Sequence, residues 1–177
     1  MVDEIKDFHA DIKKSHKYNP VIKAELQREF PNATITLAEV ADDKMGIDWF
    51  IDFPAGRLRV DAKLRFVNYA DYLDIILETW SAFPRSIGWA LDESKKTDLY
   101  YFRWFGDGHH LIVPAVPLRL AFAEHVAEWR KTYDEKTQRN RGYDSMAMGI
   151  PASILLPAVK SRPEYAAELK RIAGLMR

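Results

Sequence analysis

The stretch GIDWFIDFPAGRLRVDAKLR, residues 46–65, contains two apolar runs separated by a short turn, Pro54-Ala55-Gly56. Apolar and polar residues alternate along both runs, which is the pattern of a β-strand with one buried face. Two strands joined by so short a turn are expected to be antiparallel, because parallel neighbours need a long crossover. The stretch therefore predicts an antiparallel pair of strands, near 47–53 and 57–66.

The segments on either side of this pair extend the sheet. Residues 34–40, TITLAEV, are rich in β-branched side chains, so they predict a first strand and complete an antiparallel meander. Two further strands are expected near 73–80 and 98–105, which brings the sheet to about five strands. These segments together predict a mixed five-stranded sheet that begins with a meander.

Helical signals flank the predicted sheet on both sides. Charge pattern, proline positions and apolar residues at helical spacing predict helices near 3–15, 20–30, 118–133 and 163–176. The polar stretch DEKTQRNRGYDS, residues 134–145, predicts an exposed loop. The fold class is therefore α+β, with a helix before the sheet and further helices after it.

Length and composition favour a single globular domain. The chain has 177 residues, of which 47% are hydrophobic, so we expect one domain, 1–177, with a core at about 20–105 and a C-terminal helical extension at about 117–177. Lysine and arginine number 26, as do aspartate and glutamate, so any nucleic-acid-binding surface must be local. The absence of cysteine excludes disulfides, thiolate metal sites and cysteine nucleophiles, and the lack of a long apolar run predicts no membrane span.

Acidic residues and one lysine lie on the polar side of the predicted hairpin. Alternation places Asp61 and Lys63 on one face of the second strand, and the hairpin can bring Asp48 beside them. Carboxylate oxygens suit a hard divalent ion such as Mg²⁺. A lysine ammonium beside the ion can orient water, help lower its pKa, or neutralise a phosphate. The alternative is a solvent-facing strand with a weak ion pair.

Glu25 is a second unusual acidic residue. In the helix predicted at 20–30, Glu25 and Glu29 fall within the arc of apolar residues. A carboxylate that points towards a core is costly unless it meets a cation or a metal. Glu25 could therefore reach the acidic edge of the sheet, and the alternative is an exposed helix in which it pairs with Lys23 or Arg28.

Three of these pieces resemble the PD-(D/E)xK nucleases, the restriction-endonuclease-like superfamily. They are Glu25 in the first core helix, the GID that ends at Asp48, and the DAK from Asp61 to Lys63. The resemblance covers roughly residues 20–105 and is strongest with Holliday-junction-resolvase-like and phage or mobile-element endonucleases. Aspartate stands at position 61 where the family often has glutamate, which is an accepted variant.

The resemblance implies both a fold and a set of site residues. The family order is a helix, a three-strand meander, a helix and a strand. By this resemblance Asp48 and Asp61 would bind Mg²⁺, with Mn²⁺ as a substitute, and Lys63 would act on the nucleophilic water. Glu25 would complete the site, directly or through water.

Other charged residues have weaker claims to the site. Glu78, on the next predicted strand, could be a further metal ligand, an acceptor for Lys63, or an edge residue. The pair His109-His110 favours a turn over a metal site, because adjacent strand residues point in opposite directions. A local phosphate-binding rim could be formed by basic residues, namely Arg57, Arg59, Arg65, Lys95, Lys96 and Arg103.

The sequence therefore predicts a Mg²⁺-dependent endonuclease that hydrolyses DNA phosphodiester bonds, with branched or structured DNA as one substrate class. The expected partner is DNA, the expected location is the cytoplasm (of the host, for a phage protein), and a homodimer could handle two strands. The alternative is a non-catalytic protein-binding or DNA-binding module that retains the fold, such as a phage-encoded inhibitor. A small-molecule enzyme is disfavoured because no glycine-rich phosphate loop is present.

Overall fold

The helices lie at both ends of the part of the chain that the structure describes. The computed structural model describes residues 16–39, 42, 44–65, 73–105 and 108–177, so the helix predicted at 3–15 lies outside it. Within these ranges, no helix is long and apolar enough to cross a membrane. The helices are α1 (Asn19–Glu29), α2 (Ala115–Trp129), α3 (Ala152–Lys160) and α4 (Pro163–Leu175).

The strands form two separate sheets. In chain order they are β1 (Thr34–Leu37), β2 (Trp49–Phe53), β3 (Gly56–Arg65), β4 (Asp74–Phe83), β5 (Ser86–Ile87), β6 (Leu99–Trp104), β7 (His110–Pro114), β8 (Glu135–Asn140) and β9 (Tyr143–Pro151). The first sheet has the order β1-β2-β3-β6-β7, and the second has the order β5-β4-β9-β8.

The first sheet confirms the predicted mixed five-stranded sheet and its meander. Strands β1, β2 and β3 are antiparallel neighbours, β6 runs parallel to β3, and β7 is antiparallel to β6. Helices α1 and α4 cover one face of this sheet. Leu26 of α1 and Ile172 of α4 pack there against Ile51 and Val60 of the hairpin.

The second sheet corrects two predictions. The strand expected at 73–80 is β4, and it belongs to this antiparallel sheet, while β7 is the fifth strand of the first sheet. The polar stretch 134–145, expected to be a loop, lies almost entirely in the β8–β9 hairpin. Strand β8, EKTQRN, is an edge strand without a buried residue, so it lacks the apolar alternation that would have revealed it.

The larger hydrophobic core fills the space between the two sheets. Tyr100 and Phe102 of β6 face Leu77 of β4 and Met148 of β9, and helix α2 closes the core with Phe122. All six residues of β6 are buried, so its aromatic side chains serve as core on both faces. A polar side chain of β3 that shares a face with Tyr100 therefore lies close to this core.

Candidate active site

Asp61 and Lys63 project from β3 into the space between the two sheets. In the parallel ladder, Asp61 pairs with Tyr100 and Lys63 pairs with Phe102, both of which belong to the core between the sheets. The alternating residue Val60 belongs to the other core, under α1 and α4. The predicted division of β3 into a polar face and an apolar face is confirmed.

The two side chains form a largely buried ion pair. Lys63 Nζ lies 2.8 Å from Asp61 Oδ1, and Asp61 is only 4% exposed. The ammonium group also lies 4.8 Å from the centre of the Trp89 ring, within the range of a cation–π contact. A solvent-facing strand with a weak pair is therefore the wrong description of this position.

The surroundings keep Lys63 positively charged. Burial lowers the pKa of Lys63, but the charges of Asp61 and Asp48 and the hydrogen bond to Asp61 together raise this pKa above its usual value. An ammonium group that stays protonated cannot accept a proton from water. Its contribution to chemistry is positive charge and N–H donors.

Asp48 is fixed beside β3 by its backbone and its carboxylate. It immediately precedes β2, its N–H donates to Val60 O at 2.8 Å, and its Oδ2 accepts from the Ala62 N–H at 2.7 Å. Its charge acts on Lys63 together with that of Asp61. The hairpin therefore brings Asp48, Asp61 and Lys63 together, as the alternation predicted.

A close contact between two loops covers Asp61. Thr97 Oγ1 donates to Gly46 O at 2.6 Å, and Lys96 N donates to Met45 O at 3.0 Å. Gly46 has φ +72°, and a Cβ at this position would lie 2.9 Å from Thr97 Oγ1 and 3.5 Å from Asp61 Oδ2. Glycine is thus required here for both conformation and space. Thr97 is itself buried and helps to shape the site.

Glu78 faces this cluster from the second sheet. Burial raises the pKa of Glu78, while the charge of Lys63 and the Trp89 N–H lower it, and the net pKa lies above the usual value. The carboxylate lies 3.5 Å from the Trp89 N–H. Of the three roles considered from sequence, the isolated edge residue is wrong, because Glu78 interacts electrostatically with both Lys63 and Asp61.

Glu25 lies on the opposite face of the first sheet, and the prediction that it joins Asp61 is wrong. Its Oε2 accepts a hydrogen bond from the Tyr101 hydroxyl and lies 3.1 Å from Arg103 Nε. Tyr101 follows Tyr100 on β6, so the two side chains point to opposite faces. The cation that a buried carboxylate requires is therefore supplied by Arg103, and α1 carries Glu25 to the other side of the sheet.

His110 extends the cluster around Glu25. Its Nε2 lies 3.1 Å from Glu29 Oε1, its Nδ1 lies 3.9 Å from Glu25 Oε2, and its ring stacks on Tyr101. Burial, and then the hydrogen bond to Glu25, raise the pKa of Tyr101, so its hydroxyl stays protonated as a donor. The cluster on this face is thus a network of hydrogen bonds and ion pairs that connects α1 to β6 and β7.

The side chains available as metal ligands limit how a metal ion could bind. Among the described residues, no three histidine, aspartate or glutamate side chains are close enough to hold a metal ion together. Asp48 and Asp61 remain as two carboxylates on one face. Mg²⁺ commonly uses one or two carboxylates and keeps several waters, so these two residues fit that ion without a cage of protein ligands.

A polar cleft adjoins the cluster on the side of the second sheet. It has a volume of about 490 Å³, and its walls include Glu78 and Trp89, which both interact with Lys63. The residues that line it are Lys44, Glu78, Ser81, Arg85, Ser86, Ile87, Trp89, Asp92 and Lys95. The lining therefore includes three cationic side chains.

The predicted phosphate-binding rim is largely wrong. Four of its arginines form ion pairs with carboxylates of the chain, namely Arg57 with Asp52, Arg59 with Asp98, Arg65 with Asp74 and Arg103 with Glu25. Lys95 is the member of that set that lines the cleft, together with Lys44 and Arg85. Lys44 and Arg85 lie in turns, where no sequence periodicity indicates which way a side chain points.

Comparison of the chain with known proteins gives no family and no relative for this site. No protein family, curated protein or solved structure matches the chain. The nuclease resemblance therefore depends on the residues described above. The chain also departs from the family order, because the described residues between β3 and β6, 73–98, contain β4 and β5 where a helix is expected.

Proposed function

We propose that this protein is a metal-dependent deoxyribonuclease with a restriction-endonuclease-like core and an active site between the two sheets. The observation that carries the proposal is the buried Asp61, held 2.8 Å from a permanently charged Lys63, with Asp48 beside them. A charged cluster of this kind next to a core is costly to bury. Its position beside a cation-lined cleft favours a role in chemistry.

The proposed roles follow from the charge of each group. Asp48 and Asp61 would hold Mg²⁺, or Mn²⁺ in its place, and the bound ion would polarise phosphate oxygens and lower the pKa of water. Lys63 would donate its N–H groups to the phosphate or to the attacking water and offset the charge that develops there. Glu78, whose pKa is raised by burial, would accept the proton of the attacking water.

The choice of DNA as the substrate comes from the family resemblance alone. The structure adds the cationic cleft next to Lys63, which suits a polyanion. A phosphodiester bound in this cleft would lie close to the proposed catalytic residues, because Glu78 lines the cleft and interacts with Lys63.

The test is cleavage of labelled linear and branched DNA by the purified protein with Mg²⁺ or Mn²⁺. Lys63→Ala should slow cleavage by about 100-fold or more, the usual effect of losing one transition-state donor. Lys136→Ala, at an exposed position of β8, is the matched control and should cut like the wild type. A wild type that cuts no DNA with either metal, or a folded Lys63→Ala variant that cuts equally well, would refute the proposal.

One observation favours the second candidate, a binding module without catalysis. Asp61 already has a cationic partner, and among the described residues no third carboxylate completes a metal site. In that case the buried pair is structural, and the protein should bind DNA equally well with and without Mg²⁺. Calorimetric titration with Mg²⁺ distinguishes the two, because the nuclease should bind the ion and Asp61→Asn should abolish that binding.

A further inference from the structure

A patch of exposed apolar side chains borders the cleft on the β4–β5 hairpin. Phe83 is 49% exposed and Ile87 is 45% exposed, which is unusual for large apolar residues that lie so close together. Trp80 connects them, since it pairs with Ile87 across the two strands and its ring packs edge to face on Phe83 at 5.3 Å. Ile87 also lines the cleft, so the patch and the cleft form one continuous surface.

The cations of the cleft are held by backbone carbonyls. Arg85 Nη2 donates to Gly142 O at 3.3 Å, and Lys95 Nζ donates to Lys44 O at 2.8 Å. A carbonyl fixes the direction of a cation without cancelling its charge, unlike the carboxylates that pair with Arg57 and Arg59. Three cations, Lys44, Arg85 and Lys95, line the cleft against two carboxylates, Glu78 and Asp92, so the lining has an excess of positive charge for an anionic ligand.

We infer that this surface binds a single strand of DNA, with phosphates against the cations of the cleft and unpaired bases against Trp80, Phe83 and Ile87. Base stacking on exposed aromatic rings, beside cations that follow the backbone, is the usual way in which proteins hold single strands. The inference rests on the proposed function and names its substrate class, which is DNA with an unpaired branch, flap or end.

The size of the cleft favours one strand over a duplex. Its volume of about 490 Å³ is that of a site for a small ligand, so a short segment of one strand can enter it, whereas a base-paired helix could only lie across its mouth. In a duplex the bases are also stacked on one another, so Phe83 and Trp80 could not reach their faces.

The surface also leads towards the proposed catalytic residues. Trp89 forms part of the cleft wall, its ring contacts the Lys63 ammonium, and it packs on Tyr100 and Phe102 in the core. A strand in the cleft would therefore lie beside Trp89 and Glu78, the two lining residues that interact with Lys63. This arrangement would place an unpaired segment, and the bond next to it, at the site of hydrolysis.

The test measures binding in EDTA, so that no cleavage is required. Fluorescence anisotropy with a labelled twelve-nucleotide oligo-dT and with a duplex of equal length should show clear preference for the single strand. Phe83→Ala should weaken binding of the single strand by about tenfold, the effect of losing one stacked base. Ile154→Ala, which removes a similarly exposed apolar side chain from α3, is the matched control and should bind like the wild type.

A second variant tests the surface through charge. Arg85→Ala should weaken binding several-fold and reduce the slope of log K against log salt by about 0.7, the contribution of one phosphate contact on a single strand. Lys136→Ala should change neither quantity, because it lies on the outer edge strand β8. Thermal unfolding of each variant shows whether the fold is retained.

Two outcomes would overturn the inference: equal binding of single strand and duplex by the wild type, or wild-type binding by both folded variants, Phe83→Ala and Arg85→Ala. Failure of the proposed function would give a different set of results. A protein that prefers the single strand, loses this preference in both variants and never cuts DNA with Mg²⁺ supports the binding surface and refutes the nuclease.

Discussion

The two faces of the five-stranded sheet each bury a carboxylate next to a cation, and they differ in what surrounds the pair. On the helix-covered face, Glu25 lies 3.1 Å from Arg103, whose side chain is only 10% exposed. On the face between the sheets, Asp61 lies 2.8 Å from Lys63, whose side chain is 29% exposed. Distance alone therefore does not separate a structural pair from a candidate catalytic one.

The difference lies in access and in the number of anions that act on one cation. Glu25 is held by Tyr101 and Arg103, which both contact its Oε2 atom, so this carboxylate is bound within the fold. The charges of two carboxylates, Asp61 and Asp48, act on Lys63. Its neighbours Glu78 and Trp89 line the cleft. We conclude that the first pair stabilises the packing of α1 and that the second is suited to a ligand.

The sharpest test exchanges one carboxylate on each face for its amide. Asp61→Asn should slow Mg²⁺-dependent DNA cleavage by about 100-fold or more, because it removes a proposed metal ligand and the partner of Lys63. Glu25→Gln should leave the rate nearly unchanged. The measurement is the initial rate on labelled DNA, with circular dichroism as the check on folding. Equal loss in both variants would remove the functional distinction between the two faces.

Removing the cation on the helix-covered face should chiefly affect stability. Arg103→Ala leaves Glu25 buried without its cation, which typically costs about 3–5 kcal/mol of the free energy of unfolding. Arg57→Ala is the control, because the Arg57–Asp52 pair is solvent-exposed and should contribute little. Urea unfolding measures both. A loss as small as that of the control would show that α1 does not depend on this pair.

Gly46 tests how tightly the loops must close over Asp61. Gly46→Ala should cost about 1–2 kcal/mol for its positive φ, with a further cost for the contact with Thr97. Gly142→Ala is the control, since Gly142 has φ +90° but open space around it. Subtracting the loss of free energy of unfolding in Gly142→Ala from that in Gly46→Ala gives the cost of the close contact with Thr97. Equal losses in the two variants would mean that the loop above Asp61 shifts to accept the added Cβ without any loss of stability.

The smallest expected effect is a pH dependence that comes from Glu78. Its pKa is raised in the folded protein by burial, so the folded state binds this proton more tightly than the unfolded chain, whose value is near 4.5. The stabilisation that Glu78 contributes is therefore complete below the pKa of the unfolded chain. It is lost as the pH rises through the pKa that Glu78 has in the folded protein. Glu78→Gln lacks this slope, so its stability relative to the wild type should be greater at pH 7 than at pH 4. Unfolding curves at both values measure it, and a parallel dependence would contradict the assignment.

Local rules predicted the hairpin that carries the candidate site. The alternation in β2 and β3 depends on neighbouring residues alone, so the sequence placed Asp61 and Lys63 on one face and Val60 on the other, as observed. The same periodicity located α1 and predicted that Glu25 would need a cation. These predictions succeeded because each depends only on the periodicity of side chains within a single helix or strand.

Predictions that needed distant contacts failed. Which face of the sheet α1 covers depends on packing against Ile172, far along the chain, so the position of Glu25 relative to Asp61 could not be predicted. The assignment of β4 to a second sheet depends on its pairing with β9, and the β8–β9 hairpin begins in the polar segment that was expected to be a loop. Arg85 and Lys44 lie in turns, so their convergence on one cleft has no local signal.

Helix α4 has a consequence for the order of assembly. Its Ile172 completes a core whose other members include Ile22 and Leu26, near the opposite end of the described chain. During synthesis the part of this face that α4 covers must therefore stay exposed, even beside a formed α1, until α4 leaves the ribosome. Nascent chains that stall before that point should be good clients for chaperones that bind exposed apolar surface.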